Sequence, residues 1–247
     1  MFKKAMTTFA ISFMLMMIVP IINVQAEART VNDQEELKAA LLDSDVTAIT
    51  LGSDIETTEK INITRPITID GNGHTIRYVG TFGADQSPNK TTWGGIYILQ
   101  VYKTSATIKD IKLTGGNAAI LVNGSTLRFE GNIDVSENGF GGIELAQGSG
   151  VDETSKLIIA DNANIVNKTE NANNPTFWVP EDSDDAVIEM NGITKTIESG
   201  EELTIAEVEK LFGIDSPKTG DSIIITLLLG LMGIGIFAST YKTIKQN

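Results

Sequence analysis

Between residues 46 and 197 the apolar positions come in short runs that alternate with polar ones and stop at Gly, Asn or Asp. Ala48 to Leu51, Lys60 to Ile63, Ile67 to Ile69, His74 to Tyr78, Gly95 to Val101 and Ala106 to Leu113 open the series. Ala119 to Val122, Thr126 to Phe129, Ile133 to Val135, Gly142 to Leu145, Leu157 to Ile159 and Asn164 to Val166 continue it, and Thr176 to Val179, Val187 to Met190 and Ile193 to Ile197 close it. Period-two alternation in pieces this short predicts strands. Helical spacing occurs only at the margins. Leu37, Ala40 and Leu41 share a face behind Asn32, which can cap with Glu35 reciprocating; Ile205, Val208, Leu211 and Phe212 share one behind a capping box at Thr204 and Glu207.

So many strands with so little helix exclude an alternating α/β fold and leave a sandwich, a barrel or a solenoid. Similar strand starts recur at Gly94, Asn117, Gly141 and Pro175, in two nearly equal steps and a longer third, each followed by a partner run at Ala106, Thr126, Lys156 and Ala186. This predicts an all-β chain whose residues 46–200 form a parallel β-helix, with an N-terminal cap segment and helix over 27–45 and a helix with a short linker over 201–215. Asn117, Asn123, Asn132, Asn138, Asn162, Asn164 and Asn167 are available to stack along the corners. In a sandwich they would be ordinary turn residues, and only Asn191-Gly192 and Asn123-Gly124 suit tight hairpins.

Two apolar segments flank this region. Residues 1–26 carry Lys3-Lys4, an apolar stretch from Phe9 to Ile22, and small residues at Val24 and Ala26, the pattern of a secretory signal peptide cleaved after Ala26. Residues 221–241 are long and apolar enough to cross a bilayer, and the basic tail 242–247 predicts a cytoplasmic end. Just before that span stand Ser216, Pro217, Lys218, Thr219 and Gly220. This arrangement resembles the C-terminal sorting signal of Gram-positive surface proteins, with Ser216 where Leu is usual. Pro217 fixes a bent segment, and Gly220 leaves the Thr219 carbonyl open to attack. The resemblance implies cleavage between Thr219 and Gly220 by a sortase, transfer of Thr219 to peptidoglycan, and a cell-wall location after a membrane-associated precursor. An ordinary single-span anchor is the alternative.

The stretch Ala48 to Ile55, then Ile61 to Ile76 with Asp70-Gly71-Asn72-Gly73-His74, resembles the opening coils of the pectate lyase-like superfamily, in particular the pectate lyase-like adhesive domains of bacterial surface proteins. The resemblance covers residues 31–78 well and the rest as repeat style. It implies right-handed coils behind a capping helix, and a binding or adhesion role.

The chain has 247 residues with 32 acids against 19 bases, a net charge of −13. Removing both ends takes four lysines and Asp221, which deepens the charge to −16. No nucleic-acid surface is expected from such a balance, and a neutral glycan or a host protein suits it better than a polyanion. With no Cys and one His, His74, any catalysis would rest on carboxylates, Arg, Lys or Tyr. A polysaccharide lyase or hydrolase would draw on Asp70, Asp110, Asp134 and Asp161 with Arg65, Arg77 and Arg128, yet each Asp sits at a turn or strand edge, where Asp is common for backbone bonding alone. The hydrolase branch also uses Gly-His-Gly and Arg-x-Lys; Gly73-His74-Thr75 departs from the first, and the second does not occur. A non-enzymatic binding module is therefore expected, with a lyase or hydrolase and a structural wall component as the alternatives. No cofactor is expected beyond weak calcium at Glu181 to Asp185. Aromatics are the natural sugar platform: Trp93, Tyr97 and Trp178 lead, with Tyr102 and Phe177 behind them, and partly buried packing is the alternative role for Trp93 and Trp178.

Overall fold

The computed structural model describes residues 27–82, 95–148, 150–171 and 174–214. The predicted export segment 1–26, the pentapeptide Ser216 to Gly220, the span 221–241, the tail 242–247 and Trp93 lie outside them. The chain enters through β1 (Glu27–Val31) and α1 (Gln34–Leu42). Asp33, in extended conformation, caps α1 by accepting from the Glu36 amide at 2.8 Å, and Glu36 accepts from the Asn32 amide at 2.8 Å. The cap thus falls at Asp33, one position later than Asn32 would place it, and Glu36 takes the amide of the residue before the cap instead of returning a bond to it. Leu37, Ala40 and Leu41 are the buried face.

Strands then follow coil by coil. The first coil holds β2 (Val46–Leu51), β3 (Ile55–Thr57) and β4 (Ile61–Ile63); the second holds β5 (Ile67–Asp70), β6 (Thr75–Tyr78) and β7 (Tyr97–Tyr102). In the third and fourth, a long strand covers two sides: β8 (Ser105–Thr114) precedes β9 (Ala118–Asn123), and β10 (Thr126–Asp134) precedes β11 (Gly141–Ala146). The fifth holds β12 (Lys156–Ile159), β13 (Asn164–Val166) and β14 (Phe177–Trp178). Every pairing between successive coils is parallel. The stack ends in reversed strands: β15 (Ala186–Met190) turns through Asn191-Gly192, both at positive φ, into antiparallel β16 (Ile193–Ile197), and β17 (Glu202–Leu203) runs antiparallel to β14. Parallel strands arranged on three sides in this way fit a β-helix.

Register makes the core. On the first side Ile49, Ile69, Ile108, Phe129, Ile159 and Met190 stand on successive strands in one row, all buried. On the second side Ile55, Ile76 and Leu113 form one row and Ile111, Ile133 and Ile165 another. On the third, Leu99, Ile120, Ile143 and Phe177 line up, with Val101, Val122 and Leu145 beside them. This register departs from the sequence repeat. Matching the strand starts would set Tyr97 against Ile120 and Ile143 against Ala119, whereas Tyr97 pairs with Ala118 and Ile143 with Ile120; only the last match, Ile143 to Phe177, holds. Small residues ahead of each strand look alike, but burial of Leu99, Ile120 and Ile143 in one layer sets the pairing.

The corners are closed mainly by side chains bonding backbone. Asn138, buried, donates to the carbonyls of Leu113 and Val135 and accepts from the Gly116 amide; Asn174 donates to the carbonyls of Asn138 and Gly139. At the corner between the third and first sides, Ser155 accepts from the Gly124 amide at 2.9 Å and donates to the Val122 and Ala146 carbonyls. Of the asparagines read as a stacking ladder, Asn132 and Asn164 meet amide to amide at 3.2 Å, and Asn167 meets Asn174 at 3.5 Å. Bends leave N–H and C=O groups without ladder partners, and Asn117, Asn123 and Asn138 are taken by those. α2 (Ile205–Leu211) has the capping box of Thr204 and Glu207 and puts Val208 into the main core, joined by Phe212 at its end. Leu211 is 43% exposed, because the apolar face of so short a helix runs through 205, 208 and 212.

Between the first and second sides the chain bends at Asp110 (φ 48°) and Gly131 (φ 62°). A Cβ on Gly131 would lie 2.2 Å from the Asp110 Oδ1 atom, which accepts from the Asn132 amide. Gly131→Ala is expected to cost about 1–3 kcal/mol in urea unfolding, from left-handed strain and the lost bond together; an unchanged midpoint would refute this account of the bend.

Four carboxyls are held below their ordinary range: Asp43 mainly by the Asp45 amide and then by Arg29, Asp54 mainly by the Thr75 amide and then by His74, Glu137 mainly by its bond to Lys112, and Glu207 mainly by the Thr204 amide. With folded values depressed, their contribution is fully present above the unfolded values near 4 and is lost as pH falls through the folded ones. The urea midpoint should stay level from pH 7 to about 5 and drop below about 4, and a triple amide variant, D54N/E137Q/E207Q, should show a shallower drop. An equal drop in both proteins contradicts the assignment.

Candidate functional site

The three sides differ on their outer surfaces. Along the first, Thr68, Thr107, Arg128, Ile158 and Glu189 stand in one row, next to Asp70, Lys109 and Glu130. That surface is wet and charged, with ion pairs such as Lys109 to Asp70 at 2.8 Å and Lys156 to Glu189 at 2.6 Å. Along the third side the corresponding row is Gln100, Leu121, Glu144 and Trp178. Here Tyr97, Ala118, Leu121, Ala146 and Trp178 form a second buried apolar cluster, apart from the main core, with Phe140 packed on it.

This cluster is the floor of a cavity of about 790 Å³, within the size range of small-ligand sites. Trp178 meets Phe140 edge to face, with centroids 5.0 Å apart and planes at 83°. Gly141 makes room for the indole, since a Cβ there would stand 2.8 Å from the Trp178 Cζ3 atom. The Tyr97 hydroxyl donates to Glu144 Oε2 at 2.5 Å, and Glu144 is 4% exposed. A carboxyl so far from water requires partners of this kind. Two connections form the rim, and they are tied to each other: Ser183 accepts from the Gln147 amide at 2.7 Å, while Asn123 accepts from the Gly148 amide at 3.0 Å. Acids stand on the rim at Glu181, Asp182 and Glu202. On the neighbouring coil Lys60 holds its ammonium 6.0 Å from the Tyr97 ring centre, and burial lowers its pKa below the ordinary lysine value.

The structure therefore brings Tyr97 and Trp178, distant in sequence, into one cavity, while Trp93 is outside the described residues. Phe177 is not a platform: it is 1% exposed and belongs to the main core, because alternation sends it inward and Trp178 outward. Tyr102 is half-buried on the same side as β7 ends, with the Lys103 ammonium 5.7 Å from its ring centre. Phe140 and Glu144 are the residues that sequence reasoning missed. A lone acid between Ile143 and Leu145, in a strand that alternates, was the available signal for Glu144.

The carboxylates considered for lyase chemistry partly converge. Asp70, Asp110 and Asp134 share a shallow groove at the corner of the first and second sides. Each is engaged with backbone: Asp70 and Asp134 hold their own turns, accepting from the Asn72 amide at 2.8 Å and the Ser136 amide at 2.9 Å, and Asp110 accepts from the Asn132 amide of the next coil at 3.0 Å. Arg65 is spent on the carbonyls of Ala40, Leu41 and Val46, closing the end of α1, and Arg128 pairs with Glu130 at 2.7 Å. His74 has Nδ1 3.3 Å from Asp54, and Asp185 accepts from the Ser199 amide. Asp161 is an exposed turn residue outside the groove. Among the described residues no group of three or more His, Asp or Glu side chains is arranged to hold a metal ion.

Parallel coils with an apolar recess on one outer side define the class: a β-helix-like domain whose distinctive surface is a cavity floored by aromatic side chains. The chain belongs to the family described as "Putative pectate lyase-like adhesive domain", whose model matches residues 28–201. Among solved structures it is similar to one titled "L. reuters 100-23 SRRP", with 22% identity and a TM-score of 0.39 over 67% of this chain. The match spans 59% of that chain. No curated protein matches.

Proposed function

We propose that this protein is a bacterial surface adhesion module: a short right-handed parallel β-helix that binds a glycan or host protein through the cavity on its third side. The observation that carries the reading is the second apolar cluster, in which Tyr97, Leu121 and Trp178 sit on the outside of the coil instead of in its core. Their burial stabilises the outer face, and aromatic side chains gathered at the floor of a cavity are also what a binding site supplies. Membership of a family described as adhesive supports the same reading, and no catalytic set is assigned. The coil hand follows from the strong preference of parallel crossovers for right-handed connection. If a lyase were at work, shortened uronate chains would appear on incubation with the protein. Adhesion of cells displaying the Trp178→Ala variant should fall at least tenfold against wild type, with Arg128→Ala on the first side unchanged. Equal adhesion by the Trp178 variant would sink the assignment of the cavity.

The reading includes export after Ala26 and covalent attachment to peptidoglycan at Thr219 by a sortase, with residues 221–241 holding the precursor in the membrane until then. The support is the order of the features: Pro217, Thr219 and Gly220, then the apolar span, then Lys242 and Lys245. Thr219→Ala should move the protein from the muramidase-released wall fraction to the membrane or the medium. Unchanged wall linkage would defeat the attachment claim.

A further inference from the structure

We propose that the cavity on the third side takes a cationic group, carried by a basic peptide segment of a partner protein, in preference to a neutral sugar. The inference rests on the reading of that cavity as the adhesion site. Its floor is aromatic, with Tyr97, Phe140 and Trp178 all reaching it, and Glu144 stands among them with its carboxyl bonded to the Tyr97 hydroxyl. The rim adds Glu181, Asp182 and Glu202, and among the described residues the lining contains no Lys, Arg or His. Aromatic faces and carboxylates attract the same kind of ligand by different means: the ring quadrupole and the formal charge both favour a cation, and both act more strongly where water is excluded. A neutral sugar would gain from the rings but nothing from the charges on the rim.

Lys60 on the adjoining coil stands 6.0 Å from the Tyr97 ring centre, and burial there weakens its hold on its proton. It is not part of the cavity lining, which holds acids and rings. A size of about 790 Å³ exceeds a single Lys or Arg side chain and suits a short segment that carries one or two of them with apolar neighbours. The overall charge of −13 draws such a segment toward the surface.

Isothermal titration calorimetry on the full chain tests the proposal with three probes: an end-blocked hexapeptide of alternating Arg and Leu, its counterpart with Gln for Arg, and a neutral tetrasaccharide of glucose. The Arg peptide is expected to bind at least tenfold tighter than the Gln peptide and to weaken severalfold when salt is raised from about 50 to about 500 mM, as screening of exposed charges requires. Glu181→Gln with Asp182→Asn, both on the rim connection, should weaken the Arg peptide about threefold or more without altering the melting temperature. Trp178→Ala should abolish its binding. Equal affinity for the Arg and Gln peptides, no binding of the Arg peptide, or Arg-peptide binding that survives Trp178→Ala overturns the proposal. The adhesion reading stands or falls separately: tetrasaccharide binding lost in Trp178→Ala would leave the cavity a binding site of another specificity, and cell adhesion indifferent to Trp178→Ala would remove the site itself.

Discussion

A coil of three short strands presents a single layer of side chains to its interior and cannot shield that layer by itself. Stacking in parallel register supplies the shield, because each buried residue then lies against its equivalents above and below. The row Ile49, Ile69, Ile108, Phe129, Ile159 and Met190 is the plainest case, and each of these residues is at most 9% exposed. Burying a side chain of this size stabilises by roughly 1.5–3 kcal/mol. A slip by a single position in any strand would send its whole set outward, so register carries the fold. The reversed strands β16 and β17 and the helices α1 and α2 matter for the same reason: they cover layers that have a neighbour on one side only.

Satisfying the bends is the second requirement. Three sides need three turns per coil, and each turn removes backbone groups from the ladder. Asn138 and Asn174 at one corner and Ser155 at another replace those partners from buried positions, and no buried side-chain nitrogen or oxygen among the described residues lacks a hydrogen bond. At the third corner backbone conformation does the work, through the left-handed residues Asp110 and Gly131. Surface ion pairs between coils, such as Lys109 to Asp70, add little by comparison, since exposed pairs are worth about 0–1 kcal/mol.

Much of this was legible in the sequence because alternation and burial obey one rule. The strand runs, the helix face of Leu37, Ala40 and Leu41, and the coil-like repetition follow directly from the spacing of apolar residues. What spacing did not reveal was phase. Small residues precede Tyr97, Ile120 and Ile143 alike, so resemblance sets Tyr97 against Ile120, while core burial selects Leu99 as the partner of Ile120. The ligand surface was partly visible for the same reason. Aromatics can be picked out by type, which reached Tyr97 and Trp178, but inward and outward neighbours look the same on paper, which is why Phe177 was grouped with Trp178. Phe140 and Glu144 became part of a site only once β9, β11 and β14 were side by side.

Coil length explains why the cavity is where it is. Between successive members of the first-side row, the chain from Ile49 to Ile69 and from Ile108 to Phe129 is short, close to the minimum for three strands and three bends. The coils from Ile69 to Ile108, from Phe129 to Ile159 and from Ile159 to Met190 are all longer. Nearly all of the excess falls beside third-side strands: before β7, after β11, and on both sides of β14. The first and second sides, joined by bends as tight as Asp110 and Gly131, have no chain to spare for walls. The third side does, and the connections after β11 and β14 use it to raise a rim around an outer row that holds Leu121, Glu144 and Trp178. Register fixes the floor at the spacing of the coils, while the connections vary in length and charge without disturbing it, so the rim acids and the aromatic floor can change independently of the fold.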